Sequence, residues 1–447
     1  MLPLIGHVRA EATLAYRGGA AISAARFLAD VAELGDRLGD SRHVLNACDD
    51  RYRFAVGLAA CAATGRVSLL PPTHTRDLIR QLRASFPDAV CLTDQAACTI
   101  GLPHLHYPDT SARPVAKHFS VPKVPATQLL AYVFTSGSTG APQPWRKRFG
   151  PLVTCVREES RRLGLEGTAA AIVATVPPQH MYGLESSVLM PLAAGHALCA
   201  ERPFYPADIA AALDLVPRPR VLVSTPVHLR ALLGSGVPLP EVDLMVSATA
   251  PLPQPLAVEI EERFATRLID LYGSTETGQI ATRRLSEGLE WQLWPGVRLG
   301  HRDGDTWADG GHIEQPTRLC DVIEVTGPES FRLQGRQADL VNIAGKRSSL
   351  AYLNHQLASI PGVHDGAFFH VEERRGSHTG VARVAACVVA PRLDAAALME
   401  LLRERIDPVF LPRPLVFVAR LPRNSTGKLP QEALMALAAA HLKSSVA

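Results

Sequence analysis

The sequence predicts an α/β protein: a large N-terminal domain of mostly parallel sheets covered by helices, then a small α+β C-terminal domain. Three observations carry this. Apolar runs that read as buried strands alternate with stretches of helical periodicity, the order that builds a parallel sheet. Several of these runs end in Ser, Thr, Gly or Pro, so their polar tails are expected at one sheet edge, where open α/β sheets bind ligands. Near residue 335 the rhythm changes to strand, strand, helix, strand, a unit of about the minimum size for an autonomous domain.

Taken in order, residues 20–35 place apolar side chains at helical spacing and end in Gly35 and Asp36. "RHVLNACDD" reads as a strand and "RYRFAVGLAACAATG" as a helix closed by Gly65. "RVSLLPP" is a buried strand stopped by two prolines. The connector 111–128 is Pro-punctuated and expected to be irregular. "AAAIVATVPP", "RVLVSTP", "DLMVSATAPLP" and "RLIDLYGSTETG" are strands, separated by helices such as 226–233 and 253–265. "GAFFHVEERRG", "GVARVAACVVAP", "DAAALMELLRERI" and "PLVFVARLPR" make up the C-terminal unit. No internal repeat is visible.

At 447 residues the chain has ample material for two or three domains. A net charge of +3 is too small to argue for nucleic acid or a membrane surface as partner. No apolar run reaches transmembrane length, and the N-terminus lacks the basic start and apolar stretch of a signal peptide. The eight cysteines form no CxxC pair and no Cys/His cluster, so reduced thiols and a cytoplasmic location are expected. "DGDTWADGGHIE" (303–314) begins like a calcium loop, but Trp307 and Ala308 occupy positions that need an oxygen ligand and a glycine; its Asp-Gly pairs predict a hairpin instead.

The stretch "YVFTSGSTGAPQPWRK" (132–147) asks for a function. Clustered backbone N–H groups and hydroxyls donate to phosphate oxygens, and glycines let backbone approach closely. A P-loop would need GxxxxGK[ST], and no lysine follows Gly140 directly. Taken alone, such a run also reads as a surface linker.

The loop has companions. "FTSGSTGAP" resembles the phosphate-binding motif of the adenylate-forming superfamily, which includes acyl-CoA synthetases, aryl-CoA ligases and peptide-synthetase adenylation domains. "LYGSTETG" (271–278) resembles that family's Tyr-Gly-x-Thr-Glu motif, "LQGRQADLVNIAGKR" (333–347) its hinge, and "LPRNSTGKL" (421–429) its C-terminal lysine motif. "VPPQHMYGLE" (176–185) and "VSATAPLP" (246–253) match weaker motifs between them. They stand in family order from residue 132 to 429, and the resemblance is weak only before residue 60. It implies a boundary at the hinge, with 1–337 binding ATP and acid and 338–447 forming a mobile lid that carries the catalytic lysine.

The chemistry implied is attack of a carboxylate on the α-phosphate of ATP, giving an acyl-adenylate and pyrophosphate, followed by displacement of AMP by a thiol. Charge developing at phosphorus needs fixed donors and cations. By resemblance, Thr135, Ser136, Gly137, Ser138, Thr139 and Gly140 wrap the β- and γ-phosphates. Thr275 contacts the α-phosphate and Glu276 holds Mg²⁺, which needs few protein ligands beside phosphates and waters. Tyr272, Gly273 and Ser274, with Ala250 and Pro251, surround the nucleotide. Asp321 holds the ribose hydroxyls, and Arg336 adds a ribose or phosphate contact. Lys428 bridges the carboxylate and the α-phosphate. His180, Tyr182, Gly183 and Gly273 line the acid pocket, a reading favoured for His180 over that of a core histidine. Gly183 and Gly273 are expected to leave room for a flat ring.

The sequence departs from the family pattern in places. Gln143 stands where the family has a lysine, and Arg146 or Lys147 is the expected source of replacement charge. Ala338 replaces the first hinge acid, leaving Asp339, and Leu319-Cys320 replaces the usual Thr-Gly before Asp321. The acceptor implied is a phosphopantetheine thiol, on coenzyme A or an acyl carrier protein, reaching the site past Gly345. The compact length and the segment 339–357 resemble short ligases that load hydroxybenzoate-type acids onto carrier proteins in aryl-polyene and xanthomonadin-type pathways. The alternatives are activation of an amino acid or a fatty acid, or a degenerate nucleotide- or carrier-binding protein without activity.

Overall fold

The computed structural model describes every residue except 109–112, 117, 136–142, 303–304, 337–339, 344–345, 372–382, 425–428 and 445–447. For residues 335, 336, 340, 342, 346, 347, 349, 351, 371 and 442–444 it describes the backbone alone.

Two sheets dominate. In the eleven-stranded sheet, six neighbours run parallel: Arg267–Ser274, Leu244–Ser247, Arg220–Ser224, Ala171–Ala174, Ala197–Cys199 and Thr13–Arg17. Strands such as "AIVA" (171–174) and "LMVS" (244–247) are buried along their whole length, as parallel strands covered on both faces must be. Chain order reverses around Ala171–Ala174: the next strand in sequence lies on one side of it and the one after that on the other. The carboxyl end of that strand, leading to His180, is therefore a switch point of the sheet, the usual place for a ligand crevice.

The six-stranded sheet runs parallel from His104–His106 through Val90–Thr93, His43–Asn46 and Val67–Leu70 to Leu129–Thr135, with Gln143–Arg148 added antiparallel at its edge. Helix Arg51–Ala63 is buried almost all round and helix Phe149–Arg162 along most of its length, and one hydrophobic cluster joins both helices to both sheets. An apolar surface on every side suits a helix with packed elements all around it. A second cluster packs helices Pro206–Asp214, Pro226–Ser235 and Gln254–Phe264 onto the large sheet.

Residues 20–23 are not helical, contrary to the periodicity of 20–35. Gly18 and Gly19 take positive φ and close a hairpin that pairs Ala20–Ser23 with Thr13–Arg17; the helix starts at Ala24, capped by the Ser23 hydroxyl. Residues 305–314 form the expected antiparallel ladder, with Asp305–Gly310 turning at Gly310 and Gly311 into Ile313–Leu319; the first Asp-Gly pair, 303–304, lies outside the described residues. In the C-terminal part, Asp365–Val371, Arg383–Val389 and Leu415–Phe417 make a small sheet covered by helices Leu350–Ala358 and Ala395–Arg403, with hydrophobic clusters of its own. A final helix, Gln431–Ser444, was not anticipated. Among the described residues, no helix is long and apolar enough to cross a membrane.

Candidate active site

The Tyr-Gly-x-Thr-Glu segment is a hairpin at the carboxyl end of the parallel strand Arg267–Ser274. Ser274 pairs with Gly278, and the turn Thr275–Thr277 lies between. Its shape follows from its residue types. The Ser274 and Thr277 hydroxyls lie 3.1 Å apart, and each accepts from the other residue's backbone N–H. Gly278 takes φ +74°. A Cβ on Gly273 would lie 2.3 Å from the Gly278 carbonyl oxygen. Thr275 and Glu276 occupy the half-buried tip.

The structure brings Tyr272 and Asp321 together: the phenol donates to Asp321 Oδ2 at 2.7 Å. Asp321 opens the strand Asp321–Gly327 and pairs across the ladder with Arg336, so the two residues assigned to the ribose are cross-strand neighbours. The Tyr272 ring packs 5.5 Å from both Trp291 and Phe331. Arg283 lies 4.2 Å over Trp291 and pairs with buried Asp270 at 2.8 Å. Burial pushes that carboxyl up to about 6, against the opposing pull of Arg283. Ala250 and Pro251 follow the neighbouring strand, Leu244–Ser247. Just before them Thr249 takes φ +78°, rare for a β-branched residue; backbone strain of this kind concentrates at ligand sites.

His180 is half-buried. Tyr182 is buried, and its hydroxyl donates to the Val246 carbonyl at 3.1 Å, tying the segment after His180 to the strand that leads to Ala250. The expectation that Gly183 and Gly273 leave room for a ring is not met. A Cβ on Gly183 would stand 2.0 Å from the Pro177 carbonyl oxygen, and on Gly273 the Gly278 carbonyl blocks it. Both glycines allow backbone to close on backbone, so the space is already filled. After Leu184 the helix loosens into a π-turn over Glu185–Leu189, a distortion frequent at functional sites.

Flanking the stretch expected to bind phosphate, Thr135 pairs with Gln143 across the strands, and the Trp145 indole N–H donates to the Thr135 hydroxyl at 3.1 Å. Ser136, Gly137, Ser138, Thr139 and Gly140 lie outside the described residues, as do Ala338, Asp339, Gly345 and Lys428. Arg146 is exposed. Lys147 is buried, and its ammonium donates to the Glu276 carbonyl at 3.1 Å. The proposed replacement for the lysine missing at 143 therefore supports the Glu276 turn from within the protein.

Several site residues carry no sequence signal. Arg51 is fully buried; its guanidinium donates to the carbonyls of Ala174 (2.8 Å) and Val176 (3.0 Å) and to the Ser187 hydroxyl. It fixes the loop leading to His180 and the π-turn beyond it. Burial lowers its pKa to about 10. Beneath the turn, Glu185 and Glu159 are buried carboxyls, pushed up by burial to about 7 and about 8. Cys155 donates its S–H to Glu185 Oε1 at 3.2 Å. His312 donates to the Thr277 carbonyl at 3.1 Å, and burial lowers its pKa to about 4.

Magnesium fits this donor set on one observation. The Glu276 carboxylate makes no hydrogen bond or ion pair with any described residue, so it is available as a ligand. No three His, Cys, Asp or Glu side chains converge on a metal position among the described residues. One carboxylate, completed by phosphates and waters, is an ordinary magnesium arrangement.

Comparison with known proteins agrees with this geometry. Residues 9–327 match the family of AMP-binding enzymes. A 4-coumarate–CoA ligase of Rhodobacter capsulatus is 30% identical over 319 residues, covering 70% of this chain and 78% of that protein. A p-hydroxybenzoic acid–AMP ligase of Mycobacterium tuberculosis is 27% identical over 349 residues, covering 68% of this chain and 48% of that one. The O-succinylbenzoate coenzyme A synthetase of Bacillus subtilis, solved with ATP and magnesium ion, superposes with a TM-score of 0.80 over 96% of this chain and 97% of its own; at 18% identity this shows the shared fold. The chain belongs to the AMP-binding enzyme family, and it is an AMP-forming acid–thiol ligase that uses ATP.

Proposed function

We propose that this ligase activates a small aromatic carboxylic acid of the hydroxybenzoate kind and hands the acyl group to a phosphopantetheine thiol, on an acyl carrier protein or coenzyme A. The carboxylate oxygen bonds to the α-phosphorus of ATP as the bond to pyrophosphate breaks. The thiolate sulfur then bonds to the acyl carbon and AMP leaves. The observation that carries the adenylation half is the Tyr272–Asp321 bond beside the Thr275–Glu276 turn, at the carboxyl edge of the parallel sheet. The aromatic acid is supported by the relatives, whose names cite coumarate and p-hydroxybenzoic acid. In this reading Thr135–Gly140 hold the β- and γ-phosphates, Thr275 the α-phosphate and Glu276 the magnesium. Asp321 holds the ribose and Arg336 adds a ribose or phosphate contact; Tyr272, Ala250 and Pro251 flank adenine. His180 borders the acid, and Lys428, on a lid formed by 338–447, meets the carboxylate and α-phosphate.

The test is pyrophosphate release with Mg-ATP and a panel of hydroxybenzoates, cinnamates, fatty acids and amino acids, each with coenzyme A, a carrier protein or neither. Hydroxybenzoates are expected to give the highest turnover. Lys428→Ala is expected to lose most of it, 100-fold or more on the order expected for removing a transition-state charge contact, while still binding ATP. Preference for fatty or amino acids would overturn the substrate class. Undiminished release by Lys428→Ala would overturn the lysine's role.

A further inference from the structure

On the edge strand Gln143–Arg148 the side chains of 143, 145 and 147 share one face. Gln143, which follows the stretch 135–142 in sequence, is exposed. Trp145 holds the Thr135 hydroxyl, and Lys147 is buried beneath the Glu276 turn. The strand rises ~3.3 Å per residue, so Lys147 lies roughly 13 Å further along than residue 143 and does another task.

The groups whose charge acts on the Lys147 ammonium come from four elements. In order of their pull on its charge they are Glu185 at the π-turn, Cys155 on helix Phe149–Arg162, Glu276 on the turn, and Glu314, itself paired with Arg148, on strand Ile313–Leu319. Glu185 is tied in turn to Cys155. A Cβ on Gly278 would meet Glu185 Oε1 at 2.8 Å, His312 Nε2 at 3.3 Å and Cys155 Sγ at 3.4 Å, so the turn sits directly on this cluster. Two side chains hold it from behind: Lys147 on the Glu276 carbonyl and His312 on the Thr277 carbonyl. A buried ammonium is costly unless its hydrogen bonds and counter-charge are supplied, and an apolar side chain of similar volume would fill the space at less cost.

We propose that Lys147 is a positioning residue for the magnesium–nucleotide half of the site. It clamps the Glu276 backbone so that the carboxylate is presented in one orientation, and it links that turn to Glu185 at the end of the His180 segment. This rests on the assignment of Glu276 to magnesium given above.

The test uses the full-length protein. ATP affinity is measured by calorimetry against magnesium concentration, and Mn²⁺ in the ternary complex by its electron paramagnetic resonance spectrum. KM is measured for ATP and for the acid, and stability by urea denaturation. Lys147→Met is expected to raise the magnesium concentration for half-saturation, and KM for ATP, by about tenfold, the scale of one charge-assisted hydrogen bond. KM for the acid should stay within about twofold. Lys147→Gln, which keeps a donor, should recover part of the loss. Where Lys147→Met folds poorly, the double variant Lys147→Met with Glu185→Gln removes both buried charges. A purely structural pair predicts recovery of magnesium dependence in that double variant, whereas positioning predicts that the defect remains. Wild-type magnesium dependence in either folded variant overturns the proposal. Unchanged magnesium dependence in Glu276→Gln would instead bring down the assignment on which it rests.

Discussion

Glu159 lies on helix Phe149–Arg162 with none of its surface exposed, and burial raises its carboxyl from an ordinary 4.5 to about 8, with the nearby Glu185 adding to the shift. The nearby Ser186 and Gln279 oppose the shift, but neither carboxyl oxygen has a hydrogen-bond partner among the described residues. The folded protein therefore keeps a proton on Glu159 through neutral pH, while the unfolded chain loses it above about 4.5. Because the folded value is the higher one, the linked stability is full below 4.5 and is lost as pH rises through 8. Each pH unit inside that window costs about 1.36 kcal/mol, and between pH 6 and pH 8 the loss is roughly 2 kcal/mol once partial titration near 8 is included. Glu159→Gln keeps the shape and removes the proton linkage. Urea unfolding of both proteins at pH 6, 7 and 8 is expected to show the wild type losing that ~2 kcal/mol relative to the variant. Glu185, raised to about 7, leaves a shared slope in both proteins, so the difference between them is the quantity to read. Parallel pH dependences would refute the reasoning, since Glu159 would then be ionised, or equally perturbed, in folded and unfolded chains.

Two further substitutions probe the site. Tyr272→Phe removes the bond to Asp321 but keeps the packing on Trp291 and Phe331. It should raise KM for ATP by roughly 3- to 10-fold and leave KM for the acid unchanged in steady-state kinetics, the scale of one net hydrogen bond of about 1 kcal/mol. Arg51→Met orphans the carbonyls of Ala174 and Val176 and should destabilise by roughly 3 kcal/mol in urea denaturation, with a raised KM for the acid as the loop before His180 loosens. An unchanged acid KM in folded protein would make Arg51 a support of the fold alone.

The sequence by itself determined the α/β class, the buried parallel strands such as Ala171–Ala174 and Leu244–Ser247, and the polar tail of the Arg267–Ser274 strand. In these the cause is local: strand burial repeats along a short run, and the Ser274–Thr277 hydroxyl pair and Gly278 act within four residues. Departures from local cause marked its errors. Ala20–Ser23 has helical spacing, yet the preceding Gly18–Gly19 turn delivers it to a neighbouring strand. Gly183 and Gly273 suggested open space, but whether a missing side chain leaves a void depends on what packs there, and a carbonyl does. Only the tertiary structure decided the clamps. Lys147 meets Glu276 across 129 positions, Arg51 meets Ala174 across 123, and Tyr272 meets Asp321 across 49. Those meetings depend on the order of strands in two sheets and on which face of an edge strand turns inward. Spacing along the chain does not encode either, because a buried lysine and an exposed one look alike until the fold places a carbonyl and a carboxylate beside one of them.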